Sequence, residues 1–176
     1  GLRLSGRLDR IDIKKHDSAI RFRIIDYKFK AGTSPKKEDR DLAEAAIRAQ
    51  RLQPPIYLLL ASSFLREKQR ESHPGPEAVI FQFIAPVWPD DPLAVSEFPG
   101  DCWDSPLGDQ IAQNLSLLLE GVKAGLFFII PEDQGYCRFC EFSTICRKTH
   151  PPSRWRAEND PRSKPYHNIR TQKLSK

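Results

Sequence analysis

The chain of 176 residues contains no methionine and no apolar run long enough to cross a bilayer as a helix. It also lacks a recognisable secretory leader. A hydrophobic fraction of 39% with a charged fraction of 29% predicts a soluble globular protein with one core. Because a strand-like pattern begins at the first residues without an initiating methionine, we expect the chain to be the C-terminal part of a longer protein.

The patterns of two common enzyme classes are also missing. The four histidines stand in turn or tail contexts, so no Ser/His/Asp arrangement is visible. There is no glycine-rich loop of the kind that holds phosphates.

The excess of positive over negative charge is confined to the C-terminal segment. Residues 147–176 carry nine Lys/Arg against two acidic residues, a net charge of +7, whereas residues 1–146 carry 19 basic and 21 acidic residues, a net charge of −2. We therefore predict a folded domain over 1–148 and a basic tail or loosely docked extension over 149–176. Trp155 among arginines would suit contact with a DNA strand, but a solvated tail is the other interpretation.

Only four cysteines are present, and three of them, Cys137, Cys140 and Cys146, form a C-x₂-C-x₅-C motif. Such crowding favours metal ligation in a reducing compartment, here the cytoplasm, over disulfides. Zinc and a 4Fe–4S cluster each require four ligands, and the spacing alone does not choose between them. Cys102 is either the fourth ligand or a lone structural cysteine.

Hydrophobic periodicity predicts an α/β chain. Two strands joined by a polar turn predict a hairpin, followed by two helices separated by prolines, a third strand, a loop and an amphipathic helix. The predicted ranges are strands 2–13 and 20–29, turn 14–19, helices 41–52 and 54–68, strand 77–88, loop 89–105 and helix 106–125.

The hairpin register predicts a site. With the turn centred on residues 17–18, Asp9 faces Asp26, and Asp12 pairs with Arg23 on the other face. Directly opposed carboxylates, with Cβ atoms about 5 Å apart, repel each other unless a cation lies between them. Two carboxylates form a hard oxygen site that suits Mg²⁺ or Mn²⁺.

Lys28 follows Asp26 on the same face, about 6.6 Å along the strand. Its ammonium could orient a nucleophilic water and offset charge on a phosphate. The competing interpretation is an ordinary ion pair at a strand edge, with Asp9 bonded to Arg7 or Arg10.

Gln53 and Tyr57 lie one helical turn apart and therefore on one face. They are either a helix cap followed by an amphipathic tyrosine or a pair that fixes a phosphate or a metal-bound water.

Four motifs in order resemble the RecB/AddB-like branch of the PD-(D/E)XK nuclease superfamily over about residues 1–148. They are GRLDRID, IIDYK, LQPPIYL and CRFCEFSTICR. The resemblance implies a restriction-endonuclease-like mixed sheet flanked by helices. It implies that Asp9, Asp26 and the carbonyl of Tyr27 bind the metal, that Lys28 is catalytic, and that Gln53 and Tyr57 form the additional motif of this branch.

The same resemblance implies metal-dependent hydrolysis of DNA phosphodiesters in repair and recombination, with a helicase or helicase-like partner. It favours a 4Fe–4S cluster over zinc at the three clustered cysteines. The family's preceding helix, with its acidic or histidine ligand, and the first cysteine of the cluster do not occur in this chain. We therefore expect the isolated chain to be inactive; the sequence leaves the oligomeric state open.

Overall fold

The computed structural model describes residues 4–16, 19–29, 41–69, 74–84, 95–128, 137, 139–148 and 150–174. The chain divides into two compact units. The first contains Gly1–Asn114 and Gln172–Lys176, and the second contains Leu115–Thr171.

The first unit contains a four-stranded sheet. Its elements are β1 (Arg10–His16), β2 (Ala19–Phe29), α1 (Leu42–Ile47), α2 (Gln53–Gln69), β3 (Gly75–Ile84), β4 (Val95–Pro99) and a 3₁₀ helix (Gly100–Asp104). Helix α3 (Pro106–Lys123) begins in the first unit and ends in the second, which also contains α4 (Pro151–Asn159) and α5 (Lys164–Thr171).

The strand order is β1-β2-β3-β4. Strands β2 and β3 are parallel, and the two outer pairs are antiparallel. A parallel pair needs a long crossover, and here that connection contains α1 and α2. The predicted α/β class, a mixed sheet with helices beside it, is confirmed.

Strand β2 places its apolar side chains in the core by simple alternation. Ile20, Phe22 and Ile24 are buried, and Asp26 continues this inward-facing series. Each fully buried aliphatic or aromatic side chain contributes about 1.5–3 kcal/mol. The core is completed by side chains from the neighbouring elements, among them Ile47, Leu58, Leu65, Phe81, Phe83 and Phe98.

The predicted hairpin register is confirmed within the strands, where Ile11 pairs with Ile24 and Asp12 with Arg23. The predicted ends are wrong. Residues 4–9 lie outside any strand, and β1 continues to His16, through the first half of the predicted turn. The ladder ends at the pair of Arg10 with Ile25, so Asp9 and Asp26 are not strand partners.

Two further predicted elements differ. The helix expected over 41–52 ends at Ile47, because Ala49 has a left-handed φ of 57° and the amides of Gln50 and Arg51 turn back to the carbonyl of Ala45. The loop expected over 89–105 contains β4 and the 3₁₀ helix. Each has only five residues, too few to show a clear hydrophobic periodicity in the sequence. Residues 85–94, which include the end of the predicted third strand, lie outside the described residues.

The C-terminal segment contains two helices that apolar periodicity did not predict. Pro151 and Pro152 occupy the first turn of α4, a signal for a helix start. Ser163 and Ile169 are buried. The domain division at residue 148 stays a prediction. Among the described residues, no helix has both the length and the apolar character required to span a membrane.

Candidate active site

Asp26 is an acidic side chain in the apolar core, with only 4% of its surface exposed. A buried carboxylate must find partners, because desolvation penalises its charge. The Tyr57 hydroxyl donates to Oδ1 at 3.3 Å, and the ammonium of Lys28 lies 2.5 Å from Oδ2. That ammonium forms an ion pair without hydrogen-bond geometry, so Oδ2 has no hydrogen-bond donor within the described part of the chain.

Lys28 reaches Asp26 because alternation along β2 places both on one face of the sheet. Its Nζ donates to Oε1 of Gln53 at 3.0 Å and lies 4.6 Å from the ring centroid of Phe81. Phe81 pairs with Asp26 across β2 and β3. Such a cation–π contact contributes about 0.5–2 kcal/mol and holds the ammonium beside the carboxylate.

Helix α2 completes the cluster from a distant part of the sequence. Gln53 and Tyr57 are one turn apart, and Nε2 of Gln53 donates to the Tyr57 hydroxyl at 3.3 Å. The four side chains therefore form a closed ring, which we call the polar ring: Asp26, Lys28, Gln53 and Tyr57. An ordinary ion pair at a strand edge does not require the two helical partners.

Asp9 precedes β1, and its Oδ2 accepts the backbone N–H of Tyr27 at 3.1 Å. The Asp9 carboxylate thus accepts the N–H that a backbone carbonyl of the neighbouring strand would otherwise accept. This replaces the next hydrogen bond of the sheet, and β1 ends at Arg10. The contact fixes the Asp9 carboxylate beside the peptide that joins Asp26 to Tyr27. Neither Arg7 nor Arg10 is its hydrogen-bond partner within the described residues.

Tyr57 is held protonated by its surroundings. Burial raises the pKa of its phenol, and the charge of Asp26, the hydrogen bond to Asp26 and the charge of Asp9 raise it further. The phenol is therefore a hydrogen-bond donor throughout the neutral range.

Asp12 faces away from the polar ring. It accepts hydrogen bonds from Arg10 at 2.6 Å and from Arg23 at 3.1 Å. The bond from Arg10 is the main reason why the pKa of Asp12 lies below its ordinary value. This cross-strand pairing with Arg23 was predicted, and it makes Asp12 a natural control for the acidic residues of the site.

The residues present fit a divalent ion of the Mg²⁺ type. No three His, Cys, Asp or Glu side chains among the described residues form a metal-binding group. However, Mg²⁺ is commonly held by only one or two carboxylates and keeps several waters. The buried Oδ2 of Asp26, which receives no hydrogen bond from a described residue, and the second carboxylate oxygen of Asp9 are hard ligands of the required kind.

Sequence reasoning missed two residues that support the ring. Phe81 contacts Lys28, and the indole N–H of Trp103 donates to the carbonyl of Pro55 at 3.0 Å, which ties the first turn of α2 to the 3₁₀ helix. No sequence pattern links these positions, because each contact joins segments that are far apart along the chain.

The cysteines form no closed metal site among the described residues. Cys140 is exposed, while Cys137 and Cys146 are half-buried, and all are free thiols. Cys102 is fully buried in the 3₁₀ helix, and burial raises the pKa of its thiol to about 12. The three clustered thiols are one ligand short of the four that zinc or an iron–sulfur cluster requires.

The profile of the PD-(D/E)XK nuclease superfamily matches residues 1–147. The chain belongs to this superfamily, whose members are generally hydrolytic nucleases that use divalent metals such as Mg²⁺. Neither a curated protein nor a solved structure matches the chain.

Proposed function

We propose that the protein is a Mg²⁺- or Mn²⁺-dependent deoxyribonuclease that hydrolyses phosphodiester bonds. The observation that carries this proposal is the polar ring around Asp26, a buried carboxylate that is paired with the Lys28 ammonium and accepts a hydrogen bond from Tyr57. The second carboxylate, Asp9, lies at the neighbouring peptide, where its Oδ2 accepts the backbone N–H of Tyr27.

In this proposal Asp9, Asp26 and the Tyr27 carbonyl hold the metal ion, which when bound supplies Lewis acidity at the phosphate. Lys28 orients the attacking water and offsets charge that develops on the phosphoryl oxygens. Gln53 fixes the ammonium through its 3.0 Å hydrogen bond. Tyr57, kept protonated, donates to Oδ1 of Asp26 and would fix the orientation of the carboxylate that holds the ion.

The test compares DNA cleavage by the full-length protein carrying Asp26→Ala with cleavage by the same protein carrying Asp12→Ala. Asp12 is an acidic residue of the same hairpin with its own arginine partners, so its loss should leave cleavage unchanged. We expect Asp26→Ala to abolish activity that depends on Mg²⁺ and is stopped by a chelator. Equal, metal-dependent cleavage by the two variants would overturn the proposal.

A second candidate is a non-catalytic nucleic-acid-binding module with a structural metal at the cysteines. The observation that favours it is the ion pair of Lys28 with Asp26, which occupies one side of the carboxylate with a cation of the protein itself. DNA binding that survives Lys28→Ala, with no cleavage by the full-length protein in any divalent metal, would select this candidate.

Further proposals follow from the resemblance rather than from the geometry. They are the RecB-like branch, a role in processing DNA ends during repair or recombination, a helicase-like partner, the cytoplasm as location, and a 4Fe–4S cluster at Cys137, Cys140 and Cys146. The cluster needs a fourth ligand. Purified full-length protein with iron, acid-labile sulfide and brown absorbance would support it, whereas bound zinc without that absorbance would replace it.

A further inference from the structure

The second unit contains a cleft of about 210 Å³. It lies between the segment that follows α3, the end of the cysteine loop and helix α4. Phe127, Arg147, Lys148, Arg154 and Arg156 line it. The volume is below the roughly 300–1,000 Å³ of most small-molecule sites, and the cleft is open to solvent.

Positive charge in this cleft is only partly neutralised. Arg154 is paired with Glu158 at 2.7 Å. Asp160, which also lines the cleft, is held by Arg162 at 2.6 Å. Within the described residues, no carboxylate pairs with Arg147, Lys148 or Arg156, so these three cations are available to an anion from outside.

An aromatic ring lies beside these cations. Phe127 is 76% exposed. Its neighbour Phe128 is fixed against Tyr166, with ring centroids 5.7 Å apart. An exposed ring next to cations that have no carboxylate partner among the described residues is the combination that binds unpaired bases and their phosphates.

We propose that this cleft binds single-stranded DNA, with a base stacked on Phe127 and phosphates held by Arg147, Lys148 and Arg156. Every residue of this site belongs to the second unit, whereas the polar ring belongs to the first. The cleft thus adds a strand-holding surface to the proposed nuclease, and it relies on that proposed function only for the choice of DNA.

The experiment measures fluorescence anisotropy of a short labelled oligo-dT with the full chain in EDTA, where no metal-dependent hydrolysis occurs. The triple variant Arg147→Ala/Lys148→Ala/Arg156→Ala should lower the slope of log affinity against log salt by about 2, since each phosphate that the protein no longer neutralises lowers it by about 0.7. Phe127→Ala should weaken binding by about tenfold with little change in that slope.

Lys164→Ala is the matched control, because Lys164 is an exposed cation of the same unit that does not line the cleft. It should bind like the wild type, and so should Asp12→Ala, since Asp12 belongs to the first unit and lies outside the polar ring. Wild-type affinity in the triple variant, an equal loss in Lys164→Ala, or equal competition by duplex DNA and a simple polyanion would each overturn the proposal.

Discussion

At the scale of single residues, the polar ring depends on how the charge of Asp26 is compensated. Transferring a charged carboxylate from water into the protein interior costs several kcal/mol unless partners in the protein replace its hydration. Lys28 supplies the opposite charge, and Tyr57 supplies a neutral donor. The two partners act differently, so their removal should have different consequences.

Lys28→Met should destabilise the protein by about 1–3 kcal/mol, because it leaves Asp26 charged and buried without its cation. Adding Asp26→Asn to that variant should recover much of the loss. Urea unfolding of the wild type, both single variants and the double variant measures this coupling. Additive losses would show that the two side chains do not stabilise each other.

Tyr57→Phe should remove a pH dependence of stability at alkaline pH. Because the folded protein keeps the phenol proton to a higher pH than the unfolded chain does, this contribution is complete below about pH 10 and is lost as the pH rises through the raised pKa. The free energy of unfolding of the wild type should therefore fall more steeply above pH 10 than that of Tyr57→Phe. Parallel curves in a series of unfolding measurements from pH 9 to 11 would contradict the raised pKa.

At the scale of elements, the start of α2 is positioned by the 3₁₀ helix, and that helix is in turn packed closely on α3. Gly108 has no room for a Cβ atom, which would collide with the carbonyl oxygen of Cys102 and with Cα of Trp103. Trp103 donates to Pro55 in the first turn of α2, next to Gln53 of the polar ring. The close packing of Gly108 against the 3₁₀ helix, together with the hydrogen bond from Trp103 to Pro55, therefore helps to position the start of α2.

Gly108→Ala should destabilise the protein by about 1–3 kcal/mol, because backbone atoms must move to accept the added methyl group. Gly75→Ala is the control, since a Cβ there would meet its nearest neighbour, the carbonyl oxygen of Ile20, at an ordinary 3.6 Å. Thermal unfolding measures the melting temperature of each variant, and Gly108→Ala should melt at the lower temperature. Equal melting temperatures would show that the 3₁₀ helix and α3 adjust freely.

The hairpin shows what sequence can and cannot predict about an element. Ile11, Ile13 and Phe22 fix the register, since a slip by one residue would turn all of them to the other face. The end of β1 was not predictable, because it depends on a side-chain oxygen of Asp9 replacing a backbone acceptor. The alternation of apolar and polar residues carries no information about a side chain that replaces a backbone hydrogen-bond acceptor.

At the scale of the whole molecule, the chain end belongs to the first unit. The amide of Asn114, itself buried, exchanges hydrogen bonds with the amide of Gln172 at 2.6 and 3.3 Å. Arg48 donates to the carbonyl of Gln172 at 2.9 Å. Hydrogen bonds between residues this far apart in the sequence leave no periodic pattern. The sequence of the basic tail therefore does not predict the hydrogen bonds that Gln172 makes with residues of the first unit.

Gln172→Ala should destabilise the protein by about 1–3 kcal/mol, because it leaves the buried amide of Asn114 short of a partner. Gln113→Ala is a suitable control, since Gln113 is the exposed neighbour of Asn114 on α3. Denaturant unfolding compares the two variants. A loss in the control as large as that in Gln172→Ala would attribute the effect to helix α3 rather than to the chain end.

The most direct test of the proposed metal site is to locate Mn²⁺ by anomalous scattering in crystals of the full-length protein. We predict one ion within about 2.1 Å of carboxylate oxygens of both Asp9 and Asp26, on the side of the sheet that carries Lys28. An ion bound elsewhere, or carboxylates of Asp9 and Asp26 that remain too far apart to share one in saturating Mn²⁺, would contradict it.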